Sequence, residues 1–170
     1  MDPIVVAHQF SIGTYVLERN LAGITHDESL RAPAESINSV NWILGHMVRT
    51  RNRAIALLGA APPFPDEDFG VYDPEGFDAP RALPLDELKR RFDAIGPVLQ
   101  DGLRRVSAEQ LAGPAPLSPT GNPKETVGTL LASIAFHEAY HLGQIGTSRR
   151  LLGKAGAIRA PGQRPSAPSA

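Results

Sequence analysis

Leu85, Leu88, Phe92, Ile95, Leu99, Leu103 and Val106 recur at steps of three and four residues. That spacing puts all of them on one face of an α-helix, whose period is about 3.6 residues. A strand would scatter the same residues over two faces. The pattern predicts a helix over about Leu85–Val106, with Asp86 and Glu87 in its first turn, where negative charge suits the helix dipole. Gly96-Pro97 is the place where it would kink.

Three other segments read the same way. Val6, Phe10, Val16, Leu17 and Leu21 place a first helix over about Pro3–Ala22. Ile37, Val40, Ile43, Leu44, Met47, Val48 and Leu58 place a second over about Ser36–Leu58, stopped by Gly59 ahead of Pro62 and Pro63. The last covers about Lys124–Leu152, with Arg149, Arg150 and Lys154 at the end where positive charge is favoured. No segment alternates convincingly with period two. The expected fold class is therefore all-α, a four-helix bundle with long connections.

The connections carry information too. "GITHDESLRAPAE" reads as a turn-rich link between helices one and two. Residues 59–84 form a loop rich in Pro, Gly and Asp, too long to be a mere connector; such loops cover a site or move. After Gly153 small residues and proline dominate, so residues 1–153 form the expected bundle and 154–170 an expected flexible tail.

The chain has 170 residues and a formal net charge of −1 with the signs interspersed, which excludes the basic stripe that nucleic-acid binding needs. No apolar stretch approaches the roughly 20 residues that span a bilayer, so no membrane association is expected. "MDPIVVAHQF" lacks the pattern of a signal peptide, and the expected compartment is the cytoplasm. There is no cysteine, so any metal must be held by His, Asp or Glu.

The last helix contains His137-Glu138-Ala139-Tyr140-His141, which fits the H-E-x-x-H pattern of zinc proteases. Histidines four apart share one helix face and can reach one ion. A protease takes its third ligand from downstream, yet Leu142 to Ala170 contains no His, Asp, Glu or Cys. A di-iron bundle needs a second Glu-x-x-His, and Glu138–His141 has no counterpart in the sequence. The third ligand must come from upstream, where His8, His26 and His46 are the choices. His26 lies in the turn-rich link and His8 has no helper nearby. His46 lies mid-helix among apolar residues, and it becomes the better ligand because His137 and His141 need one more. Two ligands from one helix and one from another, with positions left open, is the plan of a catalytic metal site.

At roughly 100° per residue, Gln144 falls within about 20° of His137, on the ligand face. Glu138 points about 100° away from His137, where it either supports a ligand from outside or meets solvent. Arg49, Thr50 and Arg53 fall on the His46 side. Arg49 and Arg53 suit a substrate carboxylate, although solvation or pairing with acids is the preferred reading for both.

"ESINSVNWILGHMVRTRNRAIALLG" and "FHEAYHLGQIGTSRRLLG", in this order and separation, resemble the DinB/YfiT-like superfamily, as does the lead-in "LAGITHDESLRAP". The resemblance runs from Ile4 to about Gly153. It implies a four-helix bundle, often a homodimer, with one divalent metal ion (Zn, Ni or Fe) on three histidines that match His46, His137 and His141. It further implies small-molecule chemistry, since relatives include transferases and isomerases that use low-molecular-weight thiols. A hydrolase, or a non-enzymatic stress-related binding protein with a structural metal, stands as the alternative.

Overall fold

In the computed structural model, residues 2–35, 37–73 and 77–158 are described. Four long helices, α1 (Pro3–Leu21), α3 (Val40–Leu57), α4 (Leu85–Arg105) and α6 (Val127–Leu151), form the expected all-helical frame. Two short helices, α2 (His26–Leu30) and α5 (Ala108–Ala112), stand in the links, and 3-10 turns at Asp66–Tyr72 and Ala79–Arg81 shape the long loop. Among the described residues no strand forms; an isolated bridge joins Pro114 and Thr126. None of the described helices is long and apolar enough to cross a membrane.

The stripe on α4 turns inward as its spacing requires. Leu85, Leu88, Phe92, Ile95, Leu99 and Leu103 are all buried, each contributing on the order of 1.5–3 kcal/mol. The helix runs on through Pro97, which lies on its exposed side and takes the place of one backbone donor. α4 packs on α1 and α3, and both of these pack on α6. The four helices thus form a ring around Phe10, Ile43, Met47, Phe92, Leu131 and Ile145.

Helix starts follow local hydrogen bonding. α3 begins at Val40 rather than near Ser36, because the Ser39 hydroxyl accepts from the Trp42 amide and caps the helix there. The "THDES" link is helical rather than turn-like. Thr25 and Glu28 form a reciprocal capping box that starts α2. Ser107 and Gln110 do the same for α5, and Thr126 with Thr129 for α6.

The chain stays packed past Gly153. Lys154 pairs with Glu28 at 3.0 Å, and Arg149 donates to the Ala155 carbonyl. Residues 154–158 of the expected tail thus lie against the bundle, and residues 159–170, where the rest of that tail falls, lie outside those described.

Candidate metal centre

His46 projects from the middle of α3, His137 and His141 from successive turns of α6. The α3–α6 contact brings them together across the bundle. Nε2 of His137 lies 3.1 Å from Nε2 of His46 and 2.9 Å from Nε2 of His141. One ligand atom from each of the three falls within 4.8 Å of the others, and among the described residues no Asp, Glu or further His joins the group. His141 is buried, while His46 and His137 are half-buried.

The outer nitrogens decide the chemistry. Nδ1 of His46 faces the Tyr72 carbonyl at 3.4 Å, and Nδ1 of His141 faces Oε1 of Gln144 at 2.6 Å. A carbonyl oxygen only accepts, so in a neutral ring Nδ1 carries the proton and Nε2 keeps its lone pair. Two lone pairs are therefore aimed at the cluster, where His137 adds a third nitrogen. Such a set repels itself without a cation and suits a divalent metal ion. His137 has no comparable anchor: its Nδ1 is buried and meets no hydrogen-bond partner among the described residues.

Electrostatics favour the neutral rings. Burial pulls His137 down to about 4, with His141 and His46 adding to the effect. Burial also lowers His46, reinforced by His141, and lowers His141 against the opposing bond to Gln144. Trp42 stacks on His46 with centroids 4.9 Å apart and planes 7° from parallel, which fixes that ring. Tyr140 meets His141 edge-on at 5.5 Å.

Gln144 thus stands where its helical angle placed it, bonded to a ligand. Glu138 does not. It neither supports a histidine nor meets solvent; its carboxylate is buried between α6, α3 and α1 and bonded to Arg51. The 100° step that separates it from His137 carries it to the neighbouring interface.

Arg49 and Arg53 are both engaged by the long loop. Arg53 donates from Nε and a terminal nitrogen to the Asp66 carboxylate, each at 2.6 Å. Arg49 reaches Asp66 at 3.2 Å and pairs with Asp73 as well. Asp66 is held at about 2, chiefly by the bonds from Arg53. This is the pairing with acids that was the preferred reading of both side chains, and the two guanidiniums tie residues 66–73 to α3. His8 is exposed, and His26 accepts from the Leu85 amide at 3.3 Å; neither joins the cluster.

Sequence reasoning missed Trp42, Tyr72 and Arg51. Trp42 was readable, since it precedes His46 by one helical turn. Arg51 lies between Arg49 and Arg53 in sequence but faces the core. Tyr72 acts through a backbone oxygen, for which no residue type is a signal. A groove of about 540 Å³ between α1 and α6, lined by Ile12, Val16, Ala139 and Leu142 among others, is separate from the centre, for none of the three histidines lines it.

Fold and site together define a helical-bundle protein with a three-histidine centre suited to a divalent ion. The sequence profile of the DinB superfamily matches residues 9–145, and the chain belongs to that superfamily. Its structure is similar to that of a conserved protein from Enterococcus faecalis, with a TM-score of 0.68 and 23% identity over 88% of this chain and 96% of the other. No curated protein matches the chain.

Proposed function

We propose that the protein is a divalent-metal-dependent enzyme that activates a low-molecular-weight thiol, in the manner of a thiol-dependent transferase. The observation that supports this most is the convergence of three Nε2 atoms with the outer nitrogens of His46 and His141 turned to carbonyl acceptors. A bound ion supplies a Lewis acid that lowers the pKa of a thiol or water presented to it. His46, His137 and His141 would hold it as neutral ligands and so leave its charge intact. Gln144 and the Tyr72 carbonyl keep two of the rings oriented, and Trp42 covers one face of His46. The chain has no cysteine, so the thiol arrives as a cosubstrate.

Water activation uses the same parts and would make the protein a hydrolase. A purely structural site is disfavoured, because such a site is closed by four protein ligands and the group found among the described residues has three. The reading includes a homodimer, as the family resemblance implies; a monomer mass in light scattering at micromolar concentration would remove that part.

Cobalt substitution tests the chemistry. The Co²⁺ protein should gain a thiolate charge-transfer band on titration with glutathione or a comparable small thiol. A spectrum indifferent to every thiol tried, with metal present at full stoichiometry, would reject the thiol reading and leave water activation.

A further inference from the structure

The long loop holds one residue in an unusual setting. The Tyr72 side chain is fully buried although it lies in a loop. Its ring occupies the space over Gly45, where a Cβ would meet three ring carbons at 2.3–2.5 Å. Any side chain at residue 45 therefore forces the ring or the helix to shift. The hydroxyl accepts from the Leu83 amide at 2.7 Å and donates to Oδ1 of Asn41 at 3.3 Å. Asn41 in turn donates to the Leu83 carbonyl at 3.0 Å. Asn41, Gly45 and His46 belong to the same stretch of α3, so one helix face receives both the ring and the carbonyl of Tyr72.

Two further ties seat the segment from its other side. Asn52 exchanges two hydrogen bonds with the Phe64 backbone, at 2.8 and 3.2 Å. Arg49 and Arg53 grip Asp66. The result is a backbone carbonyl delivered to Nδ1 of His46 by a segment that begins well past the end of α3.

We propose that Tyr72 is a positioning residue for the metal centre: its carbonyl fixes the His46 ring with Nε2 toward His137, and the notch at Gly45 makes that contact possible. Metal affinity thereby depends on the seating of the loop. This rests on the metal-binding reading above, but the orientation of His46 is a property of the protein without metal and is measured separately. A tyrosine that merely filled space would stabilise the bundle without governing His46.

The test compares Gly45→Ala with Gly102→Ala. Gly102 is also buried, on α4, and the nearest atoms to a Cβ there all belong to Leu58, at 2.8–3.5 Å. Two quantities are read in the full chain. One is the tautomer of each histidine in EDTA-treated protein, from long-range proton–nitrogen correlations. The other is the Zn²⁺ dissociation constant, from competition with a chromophoric chelator. Wild type should show His46 as the Nδ1–H form. Gly45→Ala should lose that fixed form and bind Zn²⁺ about 10- to 100-fold more weakly. Gly102→Ala should lower the unfolding midpoint and leave both readings unchanged.

If Gly45→Ala does not fold, Tyr72→Phe serves. It keeps the ring but loses both hydroxyl bonds, and should broaden the His46 Nδ1–H signal and weaken Zn²⁺ several-fold. Wild-type tautomer and affinity in Gly45→Ala, or in Tyr72→Phe where that variant serves, overturn the proposal. So does an equal loss of affinity in Gly102→Ala. If wild type binds no Zn²⁺, the metal-binding reading fails, and the tautomer comparison alone decides whether Tyr72 orients His46.

Discussion

Arg51 and Glu138 form a two-pronged ion pair buried between α3 and α6, with one of the two hydrogen bonds 2.6 Å long. Burial pushes the Glu138 carboxyl up, and the Arg51 guanidinium pulls it back. Arg51 also donates to the Phe10 carbonyl at 2.8 Å and to the Thr14 hydroxyl at 3.2 Å, and lies 3.8 Å over the Phe92 ring. One guanidinium carried by α3 thus touches each of the other three long helices. Glu138 follows His137 directly, so the pair sets the rotation of α6 against α3 at the level of the three histidines.

Removing one partner of such a pair strands a buried charge. Glu138→Ala should cost about 3–5 kcal/mol of stability. Replacing both, Arg51→Met with Glu138→Leu, should recover more than half of that loss. Urea unfolding of the single and double variants checks it; a loss below about 1 kcal/mol in Glu138→Ala would show that the pair contributes little.

The same pair predicts no peptidase activity. A zinc protease uses the glutamate of H-E-x-x-H as a general base, and here that carboxylate is committed to Arg51. Casein should remain intact with metal-loaded protein. Cleavage that disappears in Glu138→Gln would refute the assignment.

The three histidines should act as one site. His46→Ala should lose the metal nearly as completely as His141→Ala, although His46 precedes His137 by 91 residues. His26→Ala should keep it and lose only the bond to the Leu85 amide, about 0.5–1.5 kcal/mol. Elemental analysis after gel filtration measures all three; full metal content in folded His46→Ala contradicts the three-histidine site.

Gln144 should govern affinity from outside the site. Gln144→Ala removes the acceptor for Nδ1 of His141 and should weaken Zn²⁺ binding about 10- to 100-fold. Gln144→Glu, which retains an acceptor, should stay near wild type. Chelator competition distinguishes them, and equal affinity in Gln144→Ala would assign Gln144 to packing alone.

Protein stripped of metal should lose stability in mild acid. His137 is neutral in the fold down to about pH 4, whereas an unfolded histidine takes its proton near about 6.5. Between these values the unfolded chain binds more protons, so this contribution is full above about pH 6.5 and drains away as pH falls toward 4. His46 and His141, lowered by burial as well, act in the same direction. Urea midpoints in EDTA should fall from about pH 7.5 to 5, less steeply in His137→Phe. A midpoint that rises over that range would contradict the burial of these rings.

What was legible in the sequence follows the physics of each element. α4 declares itself because one face is apolar and the other charged. α2 and α5 were hidden by turn-like composition, although Thr25–Glu28 and Ser107–Gln110 spell capping boxes. The spacing of His137 and His141 announces a pair of ligands, and the missing downstream ligand sends the search to α3. The partner of Glu138 was not legible, because which helix lies 100° around α6 is a tertiary fact. The Tyr72 carbonyl was not legible either, since any residue could supply it.

His46 and the helix carrying its two partners stand far apart in the order of synthesis. Translation proceeds at roughly 5–20 residues per second, so α3 and the loop bearing Tyr72 emerge seconds before His141 exists. A nascent chain holds at most one of the three imidazoles for most of that time and has no cysteine to recruit. On the proposed reading, metal loading would wait until α6 has docked, and the newborn polypeptide would be spared from trapping a stray ion in a half-built fold.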